Sequence, residues 1–473
     1  MAGISFGTDG WRGIMAADFT FANVRLVAQA IADHVLERYP GGDGRRVVIG
    51  YDHRFLSEHF AEAAAEVFAG RGLQVLLGER AMPTPVTAFT VVHCGAAGAV
   101  MLTASHNPPE YNGIKWIPEY GGPALPEVTR EIEAQIRRRE AGGAADPGKP
   151  ADGRRRPPRI DPRAAYGEHV RGLVDGEAIG RAGLSVVVDP LWGAGTGYLE
   201  SILGEMGVRV KALHNYRDPL FGGSLPDPSE ARLGALRERV LASGADLGLG
   251  LDGDADRLGI IDRDGSFISP NQLLALVYYH LLEARGERGP AARTVATTHM
   301  LDRLAEAHGT RVVETPVGFK YIGQSLMDRG CIVGGEESGG LSIRGHVPEK
   351  DGILAGLLAA EIAAVHRKGL GELMRDIHAR LGPLYSGRRD VRTTPEKKKE
   401  VLERLTGLRP ERLAGRTVRG RLDIDGLKLL LDDGAWVLVR ASGTEPVFRI
   451  YAEAPAREGV AEVQGAMLEL AGL

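Results

Sequence analysis

The chain has 473 residues, of which 25% are charged and 43% hydrophobic, and a formal net charge of −4. At roughly 150 residues per domain the length predicts about three domains, and the composition excludes globally disordered, collagen-like and coiled-coil chains. The mildly acidic balance argues against nucleic acid or an anionic membrane as the main partner, but allows small anionic substrates held by local arginine clusters.

In chain order, VVIGY (47–51) reads as a short strand, EHFAEAAAEVFAGRG (58–72) as a helix stopped by glycines, LQVLLG (73–78) as a strand and GAVMLTAS (98–105) as a strand running into a loop. Continuous apolar strands separated by helices predict buried parallel strands, and so an α/β fold. A helix at 127–140 follows, and then a Gly-, Pro- and Arg-rich stretch (141–159) with the composition of a linker or exposed loop. The rhythm resumes with strands SVVVD (185–189), ADLGLGLD (245–252) and LGIID (258–262). The helix NQLLALVYYHLLEAR (271–285) opens a third unit with strands at TVATT (294–298), RVVET (311–315) and CIVGG (331–335) and helices at 319–329 and 351–366. After RRDVRTT (388–394) a helix is expected with Thr394 as N-cap and Pro395 at its first position. Alternating segments with Asp-Gly turns at 425–426 and 433–434 then predict antiparallel hairpins, closed by a helix at 457–471. The expected architecture is three α/β domains with mixed or parallel sheets (1–150, 165–264 and 265–385) and a C-terminal α+β domain (386–473).

Two cysteines, Cys94 and Cys331, are too few for a disulfide scaffold or a zinc site and read as reduced, buried packing residues. The opening MAGISFGTDGWRG lacks the pattern of a signal peptide, and no uncharged apolar run reaches membrane-spanning length, so a cytoplasmic protein is expected.

Four loops carry candidate chemistry. TASHNP (103–108) places Ser105 just past a strand, where open α/β sheets bind ligands. Ser105 can be a nucleophile or phosphate carrier, or simply a turn serine capping a backbone N–H. NGIK (112–115) brings Lys115 to the same edge, and Lys115, Lys320 and Lys350 are three of only ten lysines in the chain. LDGDADRLG (251–259) alternates Asp252, Asp254 and Asp256, a cluster that repels itself unless a hard cation such as Mg is present. The calcium EF-hand is excluded because its Gly and Glu positions hold Arg257 and Arg263. GGEESGG (334–340) offers Glu336, Glu337 and Ser338 in a glycine frame suited to sugar hydroxyls. VRASGTEPVFRIY (439–451) surrounds a glycine turn with Arg440, Ser442, Thr444 and Arg449, a phosphate cradle whose only acidic neighbour in the motif is Glu445.

Taken together, FGTDGWRG, TASHNP, DGDADR, GEESGG and RASGTEP, in this order and over essentially the whole chain, closely resemble the α-D-phosphohexomutase family of phosphoglucomutases, phosphomannomutases and phosphoglucosamine mutases. The resemblance implies four domains around a central cleft. It implies an isomerase that interconverts hexose 1-phosphate and hexose 6-phosphate through a phosphoserine and a hexose 1,6-bisphosphate, which also serves as activator. By the same resemblance Ser105 carries the phosphoryl group, and Asp252, Asp254 and Asp256 hold Mg together with an oxygen of that group. Arg12, Lys115 and Arg257 offset charge, with Lys115 and His106 as acid/base candidates. Glu336 and Ser338 bind sugar hydroxyls, Lys320 and Lys350 lie in the flanking substrate segments, and Arg440, Ser442, Gly443, Thr444 and Arg449 hold the non-reacting phosphate. The implied partners are small-molecule hexose phosphates, to a monomer or homodimer. The sequence departs from many bacterial dual-specificity relatives at Gly340, where they carry His.

The charge arithmetic is compatible with this. A phosphoserine near −2 beside three aspartates totals about −5, one Mg leaves about −3, and three cations approach neutrality. Glucose and mannose phosphates are the expected substrates, with glucosamine phosphate as the alternative. A magnesium phosphatase using the Asp-x-Asp of DGDADR would have no use for Ser105, and a non-catalytic sugar-phosphate binder would need neither Ser105 nor the aspartates.

Overall fold

The computed structural model describes residues 4–7, 9–39, 46–141, 157–442 and 446–473. Most of the expected linker (142–156), together with Gly443 and Thr444, lies outside the described residues. The chain forms two compact units, residues 1–270 with 338–370, and residues 271–337 with 371–473.

The first unit begins with a six-stranded sheet of β1 (Trp11–Ile14), β2 (Arg46–Tyr51), β3 (Gln74–Gly78), β4 (Gly98–Leu102), β5 (Tyr111–Pro118) and β6 (Arg159–Ile160) in the order β1-β5-β4-β2-β3-β6. β4, β2, β3 and β6 pair in parallel, while β5 is antiparallel to both β4 and β1. The central parallel strands β2 and β4 are almost wholly buried, as their continuous apolar runs require. Helices Phe21–Arg38, Ser57–Gly70 and Pro126–Ala141 supply Val24, Ile31, Phe60, Phe68 and Ile132 to a core shared with Val47, Ile49 and Leu102. β4 ends at Leu102, three residues earlier than expected, and NGIK lies within β5 rather than in a loop.

A five-stranded sheet follows, with β7 (Ser185–Asp189), β8 (Arg209–Ala212), β9 (Leu247–Leu251), β10 (Leu258–Asp262) and β11 (Phe267–Ile268) in the order β11-β10-β9-β7-β8. β7 is parallel to β8 and β9, and β10 is antiparallel to β9, so residues 252–257 form the connection of a hairpin. Gly248 and Gly250 on β9 let helix Gly234–Ser243 approach; a Cβ at Gly248 would lie 2.6 Å from Val240.

The second unit begins at Asn271 and contains β12 (Ala291–Thr294), β13 (Val312–Thr315) and β14 (Val333–Gly335), with β12 parallel to both neighbours. The strand expected at 294–298 is therefore displaced to 291–294. The buried Arg293 disguises it: Asp302 Oδ2 at 2.8 Å and Glu314 Oε1 at 2.6 Å balance its charge. Thr294 and Thr297 close a turn instead.

Back in the first unit, β15 (Leu341–Ile343) precedes helix Gly352–His366, capped by Asp351, whose Oδ1 accepts from Ile353 N and Leu354 N. The second unit closes with β16 (Tyr385–Arg392), β17 (Arg412–Leu413), β18 (Arg416–Leu422), β19 (Leu427–Leu431), β20 (Trp436–Ala441) and β21 (Val447–Ala454), an antiparallel sheet in the order β16-β21-β20-β19-β18-β17. Thr394 caps helix Pro395–Gly407 as expected, its Oγ1 accepting from Lys397 N. Cys331 is buried and free; Cys94 is also free but only half-buried, against expectation. Among the described residues no helix is long and apolar enough to cross a membrane.

Candidate active site

In the first unit, β4 of one sheet and β9 of the next deliver the chemistry at their carboxyl ends. β4 runs out through Thr103 to Ser105, which is 1% exposed and sits in the left-handed region at φ 51°. Ser105 Oγ donates to Asp252 Oδ2 at 2.9 Å and lies 3.2 Å from His106 Nδ1. Arg257, then burial, then Arg12 hold His106 well below the ordinary imidazole value.

Asp252, Asp254 and Asp256 are all buried, and one oxygen of each lies within 4.8 Å of the others. Alternation along the hairpin connection alone would not gather them; hydrogen bonds from Asp256 N (2.9 Å) and Arg257 N (3.1 Å) to Asp252 Oδ1 fold the loop inward. Asp254 Oδ2 accepts from Thr84 Oγ1 at 2.6 Å and Lys115 Nζ at 2.8 Å. Burial, then Asp254 and Asp256, push the Asp252 carboxyl well up. Among the described residues, Asp254 Oδ1 and Asp256 Oδ1 are buried without a hydrogen-bond partner. Such oxygens are costly unless a cation satisfies them, so the donor set fits a hard, oxygen-liganded divalent ion.

Lys115 points from β5 into this cluster, 2.8 Å from Asp9 Oδ2, 2.8 Å from Asp254 and 3.1 Å from Asp256. Burial alone would lower its pKa, but Asp254, Asp256 and Asp9 outweigh it and hold the ammonium charged. Lys350 joins the same group, with Nζ 2.9 Å from Glu349, 3.3 Å from Asp256 and 3.5 Å from Asp9. Arg12 on β1 donates to Asn107 Oδ1 of the serine loop at 2.6 Å, and Arg257 Nε lies 3.7 Å from Asp256 Oδ1. Ser338 lies in the turn that leads to Gly339 and Gly340; Gly339 O accepts from Leu258 N, and a Cβ at Gly340 would stand 2.4 Å from Lys350 Cδ.

The sequence reading missed Asp9 and Glu349, and both change the charge count. Burial raises Glu349 to about 7, whereas Lys115 and Lys350 override burial and keep Asp9 ionised. Asp9 lies in FGTDGWRG and Glu349 beside Lys350 in PEKDG (348–352), one of the flanking substrate segments, but no local pattern marked either as part of the cluster. Arg54 and Asp52, just past β2, were missed as well and are taken up below.

In the second unit, Glu336 follows β14, and its Oε1 accepts from Gly318 N at 2.9 Å, just before helix Phe319–Asp328 with Lys320 in its first turn. Glu337 is held by Thr294 at 3.1 Å and Thr297 at 3.4 Å. Arg440 on β20 stands directly opposite Arg449 on β21. Like charges so placed repel, and Arg449 Nε is buried without a hydrogen-bond partner among the described residues, which suits an anion. Arg440 does have an acidic partner outside the motif, contrary to expectation: Asp425 Oδ2 accepts from its Nε at 2.7 Å and from Val317 N at 3.1 Å. Asp425 comes from the neighbouring hairpin turn, out of reach of a local motif. Ser442 N donates to Val447 O at 2.8 Å and closes the base of the loop.

A buried serine hydrogen-bonded to a carboxylate triad that can hold a divalent metal defines a class of centre suited to metal-assisted phosphoryl transfer. The comparisons narrow the class. Four models described as phosphoglucomutase/phosphomannomutase match the chain: alpha/beta/alpha domain I over residues 3–142, domain II over 164–265, domain III over 269–381 and the C-terminal domain over 391–470. A phosphoglucomutase/phosphomannomutase of Thermococcus kodakarensis is 33% identical over 97% of this chain and 96% of its own. A phosphoglucosamine mutase of Thermobifida fusca is 32% identical over 96% of this chain and 94% of its own. A crystal structure from Thermus thermophilus with a provisional phosphomannomutase label shares 36% identity, with a TM-score of 0.86 over 100% of both chains. The chain belongs to the α-D-phosphohexomutase family and is an isomerase of that family.

Proposed function

We propose that this isomerase interconverts hexose 1-phosphate and hexose 6-phosphate, with Ser105 as phosphoryl carrier and a hexose 1,6-bisphosphate as intermediate and activator. The observation that carries the reading is the 2.9 Å hydrogen bond from Ser105 Oγ to Asp252 at the edge of a buried triad in which two carboxylate oxygens have no hydrogen-bond partner among the described residues. Asp252, Asp254 and Asp256, with an oxygen of the phosphorylated Ser105, would hold Mg. Bound there, Mg supplies Lewis-acid polarisation and neutralises charge on the phosphoryl oxygens.

The chain's own residues do the rest. Lys115 stays charged and offsets carboxylates; Asp9 adds to the acidic side that Arg12, Lys115 and Arg257 alone were expected to balance, and Lys350 stands among the same carboxylates. His106, 3.2 Å from Ser105 Oγ, is placed to exchange a proton with that oxygen. Arg440, Ser442 and Arg449, with Gly443 and Thr444, hold the phosphate that is not transferred. Glu336 and Ser338 bind sugar hydroxyls, and Lys320 lies beside that segment.

If Glu336 and Ser338 grip the 3- and 4-hydroxyls, they contact groups that glucose and mannose share, and use of both phosphates follows. The test is kcat/KM for glucose 1-phosphate, mannose 1-phosphate and glucosamine 1-phosphate, side by side. Comparable values for the first two are expected. A preference for the amino sugar beyond about a hundredfold exceeds what a small pocket difference supplies and would replace this reading with a phosphoglucosamine mutase.

A further inference from the structure

The serine loop is held by a buried arginine that belongs to none of the recognised motifs. Arg54 is 0% exposed and follows β2, the parallel neighbour of β4. Its Nη2 donates to Ser105 O at 2.7 Å and Asn107 O at 2.6 Å, and its Nη1 donates to Pro108 O at 2.6 Å and Tyr111 O at 2.9 Å. All four hydrogens on its terminal nitrogens therefore go to carbonyls of one seven-residue stretch, 105–111. Its Nε lies 3.2 Å from Asp52 Oδ2 and is balanced by that carboxylate.

Asp52 completes the grip from the other side of Ser105. Its Oδ2 accepts from Thr103 Oγ1 at 2.6 Å, and Thr103 Oγ1 in turn accepts from Ser105 N at 2.8 Å. Its Oδ1 accepts from Ser57 Oγ and Arg54 N, both at 2.9 Å. Both peptide groups that flank Ser105 Cα are thus tied to one ion pair. The tie holds a non-glycine residue at φ 51°, where L side chains pay a steric penalty. That unusual backbone lets Ser105 Oγ meet Asp252 while Ser105 O faces Gly253.

We propose that Arg54 and Asp52, linked through Thr103, are positioning residues that hold Ser105 in its strained backbone so that its oxygen stays aligned with the metal triad. Neither Arg54 nor Asp52 hydrogen-bonds the triad carboxylates, so they act on the rate of phosphoryl transfer and not on hexose-phosphate binding. The proposal rests on Ser105 as phosphoryl carrier. Displacing a reacting atom by about 1 Å is enough to cost on the order of a hundredfold in rate.

The test compares Thr103→Val, Arg54→Lys and Ser105→Ala with the parent enzyme in the presence of Mg and glucose 1,6-bisphosphate, with a thermal melt of each. Thr103→Val keeps shape and removes only the hydroxyl link; Arg54→Lys keeps charge but has three hydrogens for four carbonyls. Both are expected to lower kcat at least about tenfold while KM for glucose 1-phosphate stays within about twofold. Slowed single-turnover phosphorylation of Ser105 should accompany the loss. If Arg54→Lys fails to fold, Thr103→Val alone decides. Folded variants with parental kcat, or a loss confined to KM, overturn the positioning role. A Ser105→Ala enzyme that still turns over would instead remove the phosphoserine reading itself, a distinct outcome.

Discussion

Gly253→Ala probes how closely the serine loop and the metal loop must approach. Gly253 lies between Asp252 and Asp254, and a Cβ there would stand 2.5 Å from Ser105 O and 3.2 Å from Pro226 Cγ. The first contact is with backbone, so no side chain can swing aside. To reach ordinary contact at 3.4 Å, one loop must retreat by roughly 0.9 Å, at an overpacking cost of about 1–3 kcal/mol. That retreat separates the serine loop from the metal loop, and about 1 Å of misplacement of a reacting atom is worth on the order of a hundredfold in rate. The expected result is a folded enzyme with a modestly lowered Tm, a kcat reduced roughly thirty- to a hundredfold and a nearly unchanged KM. Coupled mutase kinetics and a thermal melt suffice. A folded Gly253→Ala enzyme with parental kcat would show that the close approach of the loops is irrelevant to turnover.

Asp254→Asn removes one of the three anions around Lys115 and a triad oxygen; Mg affinity measured by calorimetry should fall at least about tenfold, and chelation of the parent should abolish turnover without unfolding it. Undiminished affinity would exclude Asp254 as a ligand. Arg440→Ala should raise KM for hexose phosphates about tenfold or more, through loss of a charged hydrogen-bond donor; an unchanged KM would remove it from the phosphate site. Lys428, 1% exposed between Val295 O, His299 and Glu314, is held down to about 8 by burial and then by Arg293. Its unfolded value lies near 10.4, so between the two the unfolded chain binds more protons and stability rises with pH. In Lys428→Met that rise, on the order of 3 kcal/mol between about pH 8 and 10, should vanish from the pH dependence of Tm; the same slope in parent and variant would contradict it.

The chemistry was legible where it sits at strand ends. Ser105 follows an apolar parallel strand, and the aspartates of 252–256 alternate across a hairpin connection, so local pattern marked both as candidates, while the role of Ser105 came from the resemblance of the whole motif set. The Thr394 cap and the two Asp-Gly hairpins were equally local. What escaped was charge buried far from its partner in sequence. Arg293 breaks the apolar pattern of β12 and moved the expected strand by three residues, because its neutralising carboxylates, Asp302 and Glu314, come from other elements. Arg54 carries no local mark, since its partners at 105–111 are more than fifty positions away. Asp425 lies fifteen residues from Arg440, across a hairpin. Asp9 and Glu349 stood inside recognised motifs yet carry no local sign that Lys115 and Lys350 would gather them.

The central claim is that Ser105 carries the transferred phosphoryl group. The most direct measurement is peptide mapping by mass spectrometry after brief incubation of the enzyme with Mg and glucose 1,6-bisphosphate, with and without a chase of glucose 6-phosphate. One phosphoryl group is expected on the peptide that contains Ser105, lost on the chase at the rate of turnover as bisphosphate forms. Phosphate on an aspartate of the 252–256 loop, or release of inorganic phosphate at the turnover rate with Ser105 unmodified, would contradict it.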